Sequence, residues 1–332
     1  MYRLAHFLCY YVMRLVFCGT PEFAVPTLKH LLAQPDFDIA AVITQPDRPR
    51  GRGQEITFSP VKETALAAGI AVHQPEKIRA PEAQELLQRL APDVIVIIAY
   101  GQIIPARLLP IPNLGWINLH ASLLPKYRGA APINWAIVHG ETKTGATTMR
   151  IDAGMDTGEI LLQREMNIGP SETALELAAR MSEVGAPLMA ETLRGLAAGS
   201  IVPRPQHHEQ ASLAPLLKKE DGLIDWSRTS QEIFNRIRGF APWPGAYTSF
   251  RGQTCHIWGE TAFNGLDEQI VHSLANGVPG SLLVLRDEVM VLCGGATYLR
   301  LVAVKLEGRK RVAASEFVNG ARLLPGERFG QP

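Results

Sequence analysis

Apolar positions recur along this chain in two alternating rhythms. Arg14–Cys18 is a short apolar run with β-branched and aromatic content, closed by Gly19-Thr20-Pro21. In the FAVPTLKHLL that follows, Phe23, Leu28, Leu31 and Leu32 approximate one helical face. Apolar runs return at Ile39–Ile43 and Val94–Ala99. The latter, VIVIIA, has no polar side and predicts a strand buried on both faces. Helical spacing fills Val61–Ala68 and Pro81–Leu90 between them. Strands alternating with helices predict an α/β unit built on a parallel sheet with right-handed crossovers. Trp116–His120 predicts a shorter strand running into a polar loop, and Thr147–Asp152 and Ile160–Gln163 a later pair of strands. Leu177, Met181, Val184 and Leu188 mark a long helix, weakly interrupted by Gly185 and Pro187.

The texture then changes. IVPRPQHHEQASLAP has no period and is rich in proline and polar residues, which predicts a linker over 201–218. Beyond it, short β-rich runs at Ala246–Phe250, Thr254–Trp258, Ser281–Leu285, Val289–Leu292 and Tyr298–Val304 are punctuated by turn residues, after one helix near Ser230–Arg238. Strands at this spacing predict a small β-barrel or sandwich, of which the barrel is the expectation. The expected division is an extension at 1–12, an α/β domain at 13–200, the linker, and a β-barrel domain at 219–325.

Composition narrows the class. The 332 residues are 46% apolar and 20% charged with a net charge of +1, which suits two globular domains and excludes a uniformly basic coat. Four cysteines, Cys9, Cys18, Cys255 and Cys293, lie far apart with no CxxC pair. Structural zinc and a disulfide framework are therefore not expected, in keeping with a reducing cytoplasm. No apolar run reaches the ~18 residues that span a bilayer, so no membrane partner is expected. MYRLAHFLCYYV precedes Met13, where the first strand begins, and lacks a small-residue cleavage site.

Candidate chemistry concentrates in two segments. Gly19-Thr20-Pro21 lacks both GxGxxG and the Walker lysine, so the first turn is not a dinucleotide or P-loop site. Asn118-Leu119-His120 instead places an amide donor and an imidazole two residues apart, on one side of an extended strand. A second cluster, Asp152-Ala-Gly-Met-Asp156-Thr-Gly158, has the wrong spacing for a calcium loop. It offers Asp156 as the carboxylate partner of His120. Ser122 lacks the GxSxG elbow of a serine nucleophile. Asn, His and Asp without a nucleophile suit acyl transfer to an incoming amine: hold two reactants, stabilise an oxyanion, move protons.

N-x-H-x-SLLP-x-Y-RG-x-x-P together with D-x-G-x-DTG resembles the folate-dependent formyltransferase family over about residues 13–325. The resemblance implies a Rossmann-like catalytic domain and 10-formyltetrahydrofolate as the donor. It implies Asn118, His120 and Asp156 as catalytic residues, Ser122, Leu123, Leu124 and Pro125 as the folate-contacting loop, and no metal. Within the family, Thr44-Gln-Pro-Asp-Arg48-Pro-Arg50-Gly-Arg52-Gly with Ser59-Pro-Val-Lys62 resembles the insertion loop of members that formylate initiator methionyl-tRNA. Arg48, Arg50 and Arg52 are then expected at the acceptor stem. Phe240–Tyr247 resembles the start of the family's C-terminal domain, and Lys305, Arg309, Lys310 and Arg311 are candidate phosphate contacts. That region holds 13 basic against 12 acidic residues from 219 to 332, so its positive charge is local. A monomer is expected. A sugar-nucleotide amine formyltransferase using the same donor is the competing reading.

Overall fold

The computed structural model describes residues 12–50, 55–261, 277–285, 288–324 and 326–330. The expected N-terminal extension, save Val12, lies outside them, as does Arg52. The chain divides into two compact units: 1–129 with 144–166 and 178–213, and 130–143 with 167–177 and 214–332.

The first unit carries β1 (Met13–Gly19), α1 (Val25–Leu32), β2 (Phe37–Ile43), a small hairpin of β3 (Arg48–Arg50) and β4 (Glu55–Thr57), α2 (Pro60–Ala67), β5 (Val72–His73), α3 (Pro81–Leu90), β6 (Val94–Ile98) and β7 (Trp116–His120). Between β7 and β8 (Lys143–Arg150) the chain gives α4 (Pro132–Val138) to the second unit. β9 (Ile160–Asn167) and the long α5 (Ala174–Ala197) follow. Among the described residues the main sheet has seven strands in the order β5-β2-β1-β6-β7-β8-β9. β5, β2, β1, β6 and β7 are parallel, while β8 runs antiparallel to β7.

Local chemistry starts the helices. Pro60 opens α2 with its fixed φ, and the Ser59 side chain accepts the Lys62 backbone N–H at 3.1 Å. All five residues of β6 are buried, as its unbroken apolar run requires. Ala83 and Leu87 of α3 cover Val16, Cys18, Ile95 and Ile97 on one sheet face. Gly185 has a packing reason: a Cβ there would stand 2.5 Å from Leu119 Cδ2, so its absence lets α5 lie close on β7.

The second unit contains α4, α6 (Ser230–Gly239), β10 (Tyr247–Phe250), β11 (Gln253–Thr261), β12 (Leu282–Leu285), β13 (Glu288–Cys293), β14 (Thr297–Leu306), β15 (Val312–Ala313) and α7 (Ala314–Ala321). The described strands form an antiparallel sheet in the order β10-β11-β14-β13-β12, with β15 beside β14. Alternate residues of β11, Cys255 and Ile257, enter a core with Ile233, Val291, Leu299 and Phe317. Thr229 and Glu232 form a reciprocal capping box that starts α6. Cys18, Cys255 and Cys293 are all buried free thiols. Burial raises all three out of the ordinary thiol range, Cys255 and Cys293 up to about 12.

Candidate active site

Order 5-2-1-6-7 places the reversal of winding between β1 and β6, and ligands of open α/β sheets bind outside the carboxyl ends of strands at such a point. The chemistry-bearing residues stand along that end. Asn118 lies beside Ile97 of β6, and His120 closes β7 two residues later. The Asn118 carboxamide is half-buried and has no hydrogen-bond partner among the described residues, so it remains available as a donor.

His120 is buried. Its Nε2 lies 2.8 Å from the carbonyl of Tyr127. A carbonyl only accepts, so Nε2 carries the hydrogen, and Nδ1 is the atom that faces Asp156. The gap from Nδ1 to Asp156 Oδ2 is 3.6 Å. The same oxygen accepts the Gly129 backbone N–H at 2.8 Å. Asp156 therefore faces His120 with a carboxylate already oriented by the main chain. A proton on Nδ1 completes an ion pair, and its departure leaves an imidazole that can take one up.

The turn around Asp156 is built locally. Asp152 Oδ1 accepts the Gly154 N–H at 3.0 Å and the Thr157 hydroxyl at 2.7 Å. Asp156 itself sits at φ +52°. A Cβ at Gly158 would lie 1.9 Å from the Arg150 carbonyl oxygen, so only glycine fits where the turn folds back on β8.

The Ser122–Pro125 loop leaves β7 immediately after the histidine. Ser122 is fully buried and donates to the Lys126 carbonyl at 2.6 Å, which keeps its hydroxyl occupied. Thr147 stitches the loop to β8, donating to the Ser122 carbonyl at 2.6 Å and accepting the Leu124 N–H at 3.2 Å. Leu123 and Pro125 are half-buried and Leu124 is buried. This gives the loop an apolar, rigid wall beside His120. The loop after β6 adds an apolar element that the sequence pattern did not single out. Ala99 and Gly101 take left-handed backbone, at φ +47° and +88°, and the loop leaves Ile103 91% exposed.

The hairpin of β3 and β4 is rooted in a polar network. Lys62 pairs with Asp47 and donates to Gln74 Oε1 at 2.8 Å, and Gln74 donates to Asp47 Oδ1 at 3.0 Å. Against the upward pull of desolvation, the hydrogen bonds from Lys62 and Gln74 hold the Asp47 carboxyl below its usual range. Gln45 Nε2 ties the network to the Tyr100 carbonyl at 2.9 Å. The segment expected as a charged loop is thus a hairpin with a fixed base. Arg48 is exposed, 3.9 Å from Glu76. Arg50 ends β3.

In the second unit Lys305 pairs across the sheet with His256. Desolvation, then the charges of Lys305 and Lys219, hold the His256 imidazole below its ordinary value. Lys219 therefore shares this basic patch, a neighbour the sequence did not reveal. Arg309 and Lys310 border a cavity of about 400 Å³ with Phe250, Val304 and Phe317. Arg311 stands 4.2 Å over the Trp258 ring.

Comparison with known proteins bears on both units. Residues 13–193 match the family described as "Formyl transferase", and residues 216–322 match "Formyl transferase, C-terminal domain". The methionyl-tRNA formyltransferase of Solibacter usitatus is 53% identical over 319 residues, 96% of this chain and 99% of that protein. That of Koribacter versatilis is 50% identical over 320 residues, covering 96% and 99%. Among solved structures, WlaRD, a sugar 3N-formyl transferase crystallised with dTDP and 5-N-formyl-THF, has a TM-score of 0.62 at 17% identity, covering 90% of this chain and 99% of that one. An N-formyltransferase from Helicobacter canadensis, in complex with folinic acid and dTDP-3-aminofucose, has a TM-score of 0.63 at 19% identity, covering 87% and 98%. At such identities the likeness concerns the fold. Among the described residues no helix is long and apolar enough to cross a membrane.

Proposed function

The chain belongs to the formyl transferase family, and from that premise we propose that it transfers the formyl group of 10-formyltetrahydrofolate to the α-amino group of initiator methionyl-tRNA. One observation carries the choice of acceptor: the match along nearly the whole of both chains to relatives that bear the name methionyl-tRNA formyltransferase. The sugar-acting relatives are similar at the level of fold alone.

In this reading the domains divide as the sequence suggests: 13–200 for catalysis, 201–218 as the connection and 219–325 for tRNA. The working unit is one chain, acting in the cytoplasm. The amine attacks the formyl carbon directly. Asn118 donates to the oxyanion, a contribution worth about 3–4 kcal/mol for one such donor. His120, protonated, stabilises the same oxyanion through its positive charge, its two N–H groups being held by Tyr127 and Asp156, and the proton that Asp156 takes from the amine passes on to the departing nitrogen. Asp156, directly or through a water, steadies the imidazolium and removes the amine proton. Leu123, Leu124 and Pro125 form the wall against the folate, and the buried Ser122 keeps that wall in shape through its bond to Lys126. No step needs a metal.

For the acceptor, Arg48, Arg50 and Arg52 are the residues that meet the end of the tRNA stem. Lys62 pairs with Asp47 at the base of the hairpin that carries Arg48 and Arg50. Lys305, Arg309, Lys310 and Arg311 take phosphates along the second unit.

The test is one assay. The protein is incubated with 10-formyltetrahydrofolate alone, with methionyl-tRNA, and with an amino-sugar nucleotide. Formylated product and free formate are followed. Formyl-methionyl-tRNA is expected, with formate near background. Formylation of the sugar in its place overturns the acceptor. Arg52→Ala should raise the KM for methionyl-tRNA by about 10-fold or more, since a lost phosphate or stem contact weakens ground-state binding, and leave the donor KM unchanged. The opposite split would reassign the hairpin.

A further inference from the structure

We propose that Gln206 is a positioning residue for formyl transfer: its carboxamide, held in place by Arg128, grips the main chain on both sides of the Asp156 turn and keeps that carboxylate aimed at His120. The proposal rests on the catalytic reading of Asp156 given above.

Gln206 stands in the aperiodic stretch before the second unit, yet it is 7% exposed. Its Nε2 donates to the Asp156 carbonyl at 2.9 Å and to the Gly158 carbonyl at 2.7 Å. Its Oε1 accepts from Arg128 Nε at 3.1 Å and Nη2 at 2.7 Å. Both amide hydrogens and the amide oxygen are thus committed. A flipped amide would turn its NH₂ toward a guanidinium and its oxygen toward two carbonyls, so electrostatics fixes one orientation.

Arg128 is only 6% exposed, and among the described residues no carboxylate pairs with it. Its other contact is His208 Nδ1 at 3.1 Å. Burying a guanidinium against neutral acceptors is costly. What the cation secures is the orientation of Gln206.

The rest of the frame converges on the same three-residue strap. The Tyr127 carbonyl accepts from His120, and the Gly129 N–H donates to Asp156. Arg128, between them, reaches the far side of the Asp156 turn through Gln206. Histidine and aspartate are therefore referenced to one short segment. That segment is itself tied down: Ser212 accepts the Arg128 N–H on its carbonyl at 2.8 Å and the Tyr127 N–H on its Oγ at 2.9 Å. Asp156 needs such restraint, because a non-glycine residue at φ +52° holds a backbone conformation that costs about 1–3 kcal/mol unless its surroundings impose it.

Gln206→Glu separates the clamp from the fold. Glutamate still accepts from Arg128, now as an ion pair, but presents oxygen to the two carbonyls that need donors. Gln206→Ala removes both connections. The full-length protein is assayed on methionyl-tRNA, with thermal unfolding in parallel. Gln206→Glu is expected to lower kcat about 10–100-fold, the scale set by misplacing a catalytic group by about an ångström, with both KM values within about 3-fold and unfolding temperature unchanged. In an Asp156→Asn background either Gln206 substitution should cost less than about 3-fold more, because both act on the same group. Losses that multiply in the double variant, a loss that tracks falling stability, or a Gln206→Glu kcat within about 2-fold of wild type would each overturn the clamp. The wild type's turnover on methionyl-tRNA tests the reading of the acceptor separately. If another amine proves to be the acceptor, the same cycle is run on that amine.

Discussion

Asp156→Asn is the most informative single change, since asparagine keeps the shape of the turn and alters one charge. Its Oδ1 can accept the Gly129 N–H that Oδ2 accepts now. Its Nδ2 would then face His120 Nδ1 as a donor. With Nε2–H already given to the Tyr127 carbonyl, the ring would be held neutral, with Nδ1 accepting. The contact at 3.6 Å loses its negative partner, and against the protonated imidazole that the proposed transfer requires, the gross attraction forgone is about 4–5 kcal/mol at an effective dielectric of about 20. At about 1.4 kcal/mol per decade this corresponds to roughly three decades in rate. Desolvation of both groups offsets part of it, which sets the expected fall in kcat at about 10²–10³-fold. Both KM values should stay near wild type. Stability should change by about 1 kcal/mol, because one hydrogen bond loses its charge and none loses its partner. Single-turnover formation of formyl-methionyl-tRNA, with urea unfolding alongside, measures both quantities. A folded variant within about 3-fold of wild-type kcat would refute the reasoning, since the pair would then carry none of the proton chemistry.

Gly158→Ala should lower stability and turnover together, read by urea unfolding and steady-state kinetics, because its Cβ would meet the Arg150 carbonyl oxygen at 1.9 Å and neither backbone can yield cheaply. On the acid side, the hydrogen bonds from Arg194 hold the Asp36 carboxyl below its usual range. A lowered folded value means that the pair stabilises the fold above the unfolded carboxyl's pKa of about 4 and stops doing so as pH falls through the folded value. The stability difference between wild type and Asp36→Asn, measured by urea unfolding from pH 7 to pH 2.5, should therefore shrink toward the acid end.

Elements with a strong period were legible in the chain, and so was the placement of Asn118 and His120 on one of them. Asn118 and His120 alternate on one strand, as their spacing requires, and the strand was readable from Trp116 onward. α4 was not, because PINWAIV is short and apolar on nearly all sides and so carries no amphipathic stripe. The hairpin of β3 and β4 was hidden by Pro49 and by a charge run that reads as solvated loop, although an edge strand tolerates both. The reversal of β8 had no signature, since a buried strand looks the same in either direction. The partners that aim the aspartate were beyond sequence reasoning for another cause. Arg128 and Gln206 lie 78 residues apart, and nothing local in a proline-rich stretch marks a glutamine that closes a turn elsewhere.

The three buried thiols make the protein its own reporter of opening. Cys18 sits in the sheet core of the first unit, and Cys255 and Cys293 in the core of the second. Their raised pKa values leave almost no thiolate in the native state near neutral pH. An alkylating reagent must therefore wait for each core to open. Identifying the modified peptide after a timed pulse would assign a separate unfolding free energy to each unit, without a probe being introduced. Repeating the pulse with folate or tRNA bound would tell which unit each substrate braces.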